Sequence, residues 1–302
     1  MPVAGIDLGG TKLAAAAFSE QGEILHRELV QLAGREGSAV GSLIADTVRR
    51  LADEHGCTAS GVCIPGLYRS ATGTVWAPNI PGWDDYPLLE ELRSNAPSGH
   101  VITIDSDRAA YILGETWKGA AKGASDAIFI AVGTGIGAGI LVDGKIVRGR
   151  GDVAGAIGWL ALDRPYLDRY KGHGCFEDQA SGPGLVRVAN DFGFSTEGEI
   201  TTAEIFAAYD RGDTLAKKVI DNAVQLWGMA AANLVSIFNP AMIVFGGGIF
   251  GPATQFIDRI AAEARRWAQP IAIEQVQFVA STLGSDAGLY GAGRLAMKTE
   301  TT

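Results

Sequence analysis

Three apolar stretches of this chain run straight into glycine clusters, and no other feature limits its possible folds as much. Residues 3–8 stop at Gly9-Gly10, residues 127–132 break at Gly133-Thr134-Gly135-Ile136-Gly137, and residues 241–245 end in Gly246-Gly247-Gly248. A short apolar run closed by glycine reads as a buried strand whose turn is held tight or brought close to a ligand. Between these strands the period changes. Val40, Leu43, Ile44, Val48 and Leu51 recur at helical spacing over residues 38–55, and Gly56 closes the helix. The same reasoning predicts helices over 88–94, 107–118, 204–211, 214–238, 253–267 and 287–297. It predicts further strands over 13–18, 23–32, 59–64, 101–104, 138–142 and 275–279. Strands that alternate with helices specify the α/β class. The strand, glycine turn, strand opening recurs loosely near Ser125, which points to a duplicated α/β unit.

The clusters belong to a wider excess: 41 of 302 residues are glycine, about twice the average usage of roughly 7%. Collagen is excluded because the glycines follow no three-residue period, and a hydrophobic content of 47% excludes disorder. The 25 basic and 34 acidic residues give a formal charge of −9, which repels phosphate backbones and anionic lipid. No nucleic-acid or membrane partner is therefore expected. Cys57, Cys63 and Cys175 are too few and too odd in number for a disulfide framework. The start of the chain lacks the pattern of a signal peptide, and no apolar run reaches the ~18 residues of a membrane span. A cytoplasmic location is expected.

Four places could carry chemistry. Asp7-Leu8-Gly9-Gly10-Thr11-Lys12 leaves a buried strand with two glycines that expose backbone amides, a hydroxyl and a cation. Asp7, able only to accept hydrogen bonds, would hold Mg²⁺ through water. The alternative is a glycine hairpin with a surface lysine. Gly133, Thr134, Gly135 and Gly137 form a second turn, which fails as a dinucleotide fingerprint because a strand rather than a helix follows. It reads as a phosphate cradle, or as a bare hairpin. Gly246, Gly247 and Gly248 offer a ledge for a base or ribose, or simply a tight strand-to-helix connection. Asp107 opens a helix after the strand over 101–104. It is either an acid that the helix dipole favours or a base at the carboxyl end of a strand, with Asp105 as its rival.

Taken together, several motifs resemble the ROK family of sugar kinases and repressors. They are the Asp7–Lys12 stretch, Pro65-Gly66, Pro78-Asn79-Ile80-Pro81-Gly82-Trp83, Gly133-Thr134-Gly135-Ile136-Gly137, and Gly174-Cys175-Phe176-Glu177 with Ser181-Gly182. The match runs in order over nearly the whole chain. The resemblance implies an actin-like ATPase (ribonuclease H-like) fold, with two α/β domains around a cleft. It implies ATP and Mg²⁺ as cofactors, a sugar hydroxyl as acceptor, at the 6-position, and a homodimer. It divides the chain into a smaller domain over 1–118 and a larger one over 119–286, with a last helix over 287–302 packed back on the first.

The resemblance also implies roles. Asn79 would hydrogen-bond sugar hydroxyls, with Gly66 and Ser106 in the same substrate site. Asp107 would be the base that takes the hydroxyl proton, and Glu177 would bind the sugar. The chain departs from the family at Ser106 and Ala109, where asparagines are usual. It departs again at Gly155-Ala156-Ile157-Gly158-Trp159, where the family has glutamate and histidine at the positions of Ala156 and Trp159. Asp168 and Tyr170 stand where the family's zinc site has cysteines, leaving Cys175 and His173, too few for zinc. No structural zinc is expected. Trp159 either presents an aromatic plane to the acceptor or fills the vacated region as core. The first reading implies altered specificity on the C1/C2 side of the sugar. A DNA-binding repressor is disfavoured, because the Asp7 motif begins so early and the chain is acidic. A sugar-binding or regulatory protein with weak kinase activity is the remaining alternative.

Overall fold

A computed structural model describes residues 1–195 and 198–298, so residues 299–302 of the expected last helix lie outside the described residues. The chain divides into two compact units. The first holds Met1–Gly123, Ile146–Ala154 and the residues from Thr282 onward. Its sheet contains β1 (Val3–Leu8), β2 (Lys12–Phe18), β3 (Ile24–Gln31), β4 (Ala59–Ile64) and β7 (Val101–Ser106), in the order β3-β2-β1-β4-β7. β1 pairs antiparallel with β2 and parallel with β4, and β4 runs parallel to β7. The parallel strands need crossovers, which α1 (Ser38–His55) and α2 (Leu88–Asn95) supply. A small antiparallel hairpin, β5 (Leu67–Arg69) with β6 (Thr74–Trp76), lies between them in sequence.

The other face of this sheet is covered by α3 (Asp107–Lys118) and α10 (Ala287–Lys298). α10 lies very close because the facing positions are glycines. A Cβ at Gly61 would strike the Ala292 carbonyl, and one at Gly291 would strike the Ala110 carbonyl. Residues 146–154, expected with the second domain, also belong to the first unit. They are held there by polar contacts that spacing cannot show. Arg148 pairs with Asp105, and Asp152 accepts hydrogen bonds at 3.0 Å from both the backbone N–H and the hydroxyl of Ser70.

The second unit, Ala124–Lys145 with Gly155–Ser281, repeats the plan. β8 (Ala127–Val132), β9 (Ile136–Val142), β10 (Lys145–Ile146), β11 (Met242–Gly246) and β12 (Gln277–Ala280) stand in the order β10-β9-β8-β11-β12. β8 is antiparallel to β9 and parallel to β11, as β1 is to β2 and β4. The loose internal repeat is thus a repeat of topology. α4 (Cys175–Ala180), α5 (Gly182–Asp191), α6 (Thr202–Asp210), α7 (Thr214–Phe238), α8 (Ile257–Trp267) and α9 (Pro270–Ile273) complete the unit.

Two segments differ from expectation. Residues 253–256 form a 3₁₀ turn that starts at Pro252, and the α-helix begins only at Ile257. α4 and α5 were hidden by Gly174, Gly182, Pro183 and Gly184. Pro183 sits in the first turn of α5, where its missing N–H costs nothing, and the Ser181 hydroxyl caps that helix.

Candidate active site

In the first unit the three parallel strands end side by side, and their register brings three polar residues into line. Asp7 of β1 pairs with Cys63 of β4, and Cys63 pairs with Asp105 of β7. Chain order then places Ser106 at the N-cap of α3 and Asp107 at its first position. The Ser106 hydroxyl accepts from the Ala109 N–H at 3.4 Å. Asp107 Oδ1 accepts from the Arg108 N–H at 2.7 Å, and the Tyr111 hydroxyl stands 3.5 Å from Oδ2.

The charge of Asp107 acts on Asp7. Burial, then repulsion from Asp107, pushes the Asp7 carboxyl up to about 7, although a thiol hydrogen bond from Cys63 and the charge of Lys12 oppose the rise. Burial pushes Asp107 up to about 6, against the pull of Arg108. Neither carboxylate belongs to an ion pair among the described residues. Asp105 differs. It is only 5% exposed, and its carboxylate is taken up by Arg148, whose Nε donates at 3.1 Å. Asp107 makes no ion pair among the described residues, although the charge of Arg108 lowers its carboxyl.

The first glycine turn is tight: the Gly9 N–H donates to the Lys12 carbonyl at 2.8 Å, and Thr11 and Lys12 are exposed. Gly10 faces the proline-rich loop, since a Cβ there would lie 3.7 Å from Asn79 Cβ. Gly66 has φ 121°, and a Cβ would strike the Trp76 carbonyl, so only glycine permits this turn into the β5–β6 hairpin.

In the second unit, Gly133, Thr134, Gly182, Val186, Thr202 and Gly248 line a cavity of about 450 Å³. The Gly182 N–H donates to the Gly133 carbonyl at 2.8 Å, which ties α5 to the glycine turn. The glycines after β11 have separate jobs. Gly246 clears the Phe129 ring and Gly247 clears the Val132 carbonyl, while nothing lies within 4 Å of a Cβ at Gly248. Gly137 lies within β9, opposite Ala131.

Glu177 is fixed beside this turn. Its Oε2 accepts from the Ile136 N–H at 2.6 Å, and a Cβ at either Gly135 or Gly158 would come within 2.9 Å of that oxygen. Burial raises the Glu177 carboxyl, opposed by the Ile136 N–H and by His173. Trp159 ends the short turn after Gly158 and is 57% exposed, so it does not serve as core. Around Cys175, the Arg169 Nε donates to buried Asp178 at 3.1 Å and the Gln179 amide donates to the Tyr170 hydroxyl at 3.1 Å. Asp168 is exposed beside Lys171.

Carboxylates at strand ends in one unit and a glycine-lined cavity in another are shared by several phosphoryl-transfer architectures. The deciding observation is that the sequence profile of the ROK family matches residues 3–299. The chain belongs to the ROK family. This ROK chain is 32% identical to a glucokinase of Halalkalibacterium halodurans over 98% of its own length and 95% of that protein. The crystal structure of a ROK hexokinase from Thermus thermophilus superposes with a TM-score of 0.88 at 30% identity, covering 100% of both chains. A ROK glucokinase from Streptomyces griseus, solved with glucose and AMPPNP, gives 0.77 at 30% identity, over 99% of this chain and 100% of that one. The fold is therefore actin-like, and the ROK chain is a sugar kinase.

Sequence reasoning missed four residues that build the first unit's site: Cys63, Tyr111, Arg148 and Gly288. Tyr111 carried a readable signal, because it lies one helical turn after Asp107. The others reach the site from remote segments.

Proposed function

We propose that this ROK chain transfers the γ-phosphoryl group of ATP to a hydroxyl, at the 6-position, of a hexose, amino sugar or related cyclic polyol. The observation that carries this reading is the pair of carboxylates Asp7, near the end of β1, and Asp107, at the start of α3, the charge of the second acting on the first and neither in an ion pair among the described residues. A base works best with a pKa near the working pH, and burial brings Asp107 there. Asp107 takes the acceptor hydroxyl's proton on Oδ2 while its Oδ1 stays anchored to the Arg108 N–H.

Two half-buried acids, the charge of one acting on the other, fit a divalent cation, and all-oxygen donors suit Mg²⁺. Asp7 would hold the ion through water, and the ion when bound neutralises charge on the transferring phosphates. The Gly10 amide with Thr11 and Lys12, and the turn at Gly133, Thr134 and Gly135, orient the phosphates, while the Gly9 N–H, bonded to the Lys12 carbonyl, holds the first turn in shape. Gly248 leaves room for nucleoside beside the cavity. Asn79 and Glu177 hold the sugar, with Gly66 and Ser106 at the acceptor side. For this reaction, positioning and electrostatics supply most of the acceleration.

Trp159 supports a narrower reading. Its exposed ring stands where a second polar contact to the sugar is expected, and Ala156 adds none. We read both as a preference for an acceptor altered on its C1/C2 side. ADP release across glucose, N-acetylated sugars, C1-substituted sugars and cyclitols tests both readings. Efficient phosphorylation of plain glucose would sink the narrower one, and full activity in Asp107→Asn would sink the base.

A further inference from the structure

We propose that Cys63 is a positioning residue for phosphoryl transfer: its thiol, together with the bare Cα of Gly288, seats the Asp7 carboxylate in the orientation that carries the metal. The inference rests on the Mg²⁺ role proposed for Asp7. Three observations support it. Cys63 is Asp7's direct partner on the neighbouring parallel strand and gives that carboxylate a hydrogen bond. It is 0% exposed and packs against Ala110 of α3 and Ala292 of α10, so its side chain is confined from two helices. Finally, a Cβ at Gly288 would lie 2.5, 2.7 and 2.8 Å from Asp7 Oδ2, Cγ and Oδ1, so the carboxyl lies against α10's first turn.

α10 can set that position because it is itself immobilised on β4 and α3 through Gly61 and Gly291. The chemistry suits the task. A lysine or arginine at position 63 would cancel the charge that attracts a cation, whereas a neutral thiol orients the carboxylate and leaves its charge. No disulfide or nucleophilic role competes. The thiol is unpaired among the described cysteines and fully buried.

The test is Mn²⁺ binding to the protein–ADP complex, followed by electron paramagnetic resonance, alongside the Mg²⁺ dependence of turnover. Asp7→Asn should abolish tight Mn²⁺ binding. Cys63→Ala should weaken it about tenfold, at the lower end of the effect of removing an outer hydrogen-bond partner. Cys63→Ser, which keeps a donor, should stay within about threefold of the parent on the same reasoning. Sugar affinity, read by tryptophan fluorescence, should be unchanged in both. Unchanged Mn²⁺ affinity in a folded Cys63→Ala, or equal losses in the alanine and serine variants, would overturn the proposal. Should Cys63→Ala fail to fold, Gly288→Ala provides the second arm: weaker Mn²⁺ binding supports the seat, and parental affinity overturns it. Tight Mn²⁺ binding by Asp7→Asn would overturn the metal assignment and this inference with it. A wild type whose Mn²⁺ binding depends on Asp7 and Cys63 as stated but which phosphorylates no acceptor would support the seat and overturn the kinase reading.

Discussion

Replacing Asp107 with asparagine should inactivate the protein and make it more stable, and the two effects have one cause. The Asp107 carboxyl is raised from 3.8 to about 6 by burial. A native pKa above the unfolded value means that the folded state holds the proton more tightly. The stabilisation from that proton is complete below the unfolded pKa of 3.8 and is lost as the pH rises through about 6. At pH 8 the folded wild type therefore carries an ionised, poorly solvated carboxylate. A shift of about two units corresponds to roughly 3 kcal/mol, which partial solvent access reduces to about 1–3 kcal/mol. Asparagine is neutral, can still accept the Arg108 N–H through its Oδ1, and also relieves the repulsion on Asp7.

Calorimetry without nucleotide or Mg²⁺ should show Asp107→Asn melting about 3–8 °C higher than wild type at pH 8. The gain should fall to about half at pH 5 and about a fifth at pH 4, and vanish below about pH 3, where unfolded Asp107 is itself protonated. Sugar-dependent ADP release should drop about 10²–10⁴-fold. An unchanged or lower Tm at pH 8, or a gain independent of pH, would refute the burial argument. Turnover within tenfold of wild type would refute the base.

Other consequences are separately measurable. In wild type kcat/KM should fall as the pH drops through about 6, where Asp107 takes up a proton and ceases to be a base; a flat profile between pH 5 and 8 contradicts this. Arg148→Ala leaves buried Asp105 without its cation and should cost about 1–3 kcal/mol in urea unfolding. Because burial already raises the Asp105 carboxyl, that loss should be larger at pH 8 than at pH 5. Gly291→Ala forces α10 away from the Ala110 carbonyl and should cost about 1–3 kcal/mol, measured by the denaturation midpoint. Trp159→Ala should leave Tm within about 1 °C, given its exposure, because surface changes usually stay within about 0.5 kcal/mol. It should nonetheless change the ratio of kcat/KM between C1-substituted acceptors and free sugars.

Sequence alone determined the plan of the chain. Apolar runs closed by glycine located β1, β8 and β11, helical spacing located α1, α3 and α7, and alternation made the class α/β. These signals are local: a strand's period and its terminating turn lie within a few residues, so they can be read in order. Asp7, Asp107 and the glycine turns were legible because they sit at the ends of those strands. Tertiary structure decided what surrounds them. Cys63 reaches Asp7 through strand register, Gly288 through a helix more than 270 residues away in sequence, and Arg148 occupies Asp105 from the loop over 146–154. It also decided that Trp159 is exposed and that Gly246 clears a phenylalanine ring. Burial, close approach and charge pairing arise between segments that one-dimensional spacing leaves unrelated. They are what put the charge of Asp107, at the start of α3, onto Asp7 near the end of β1.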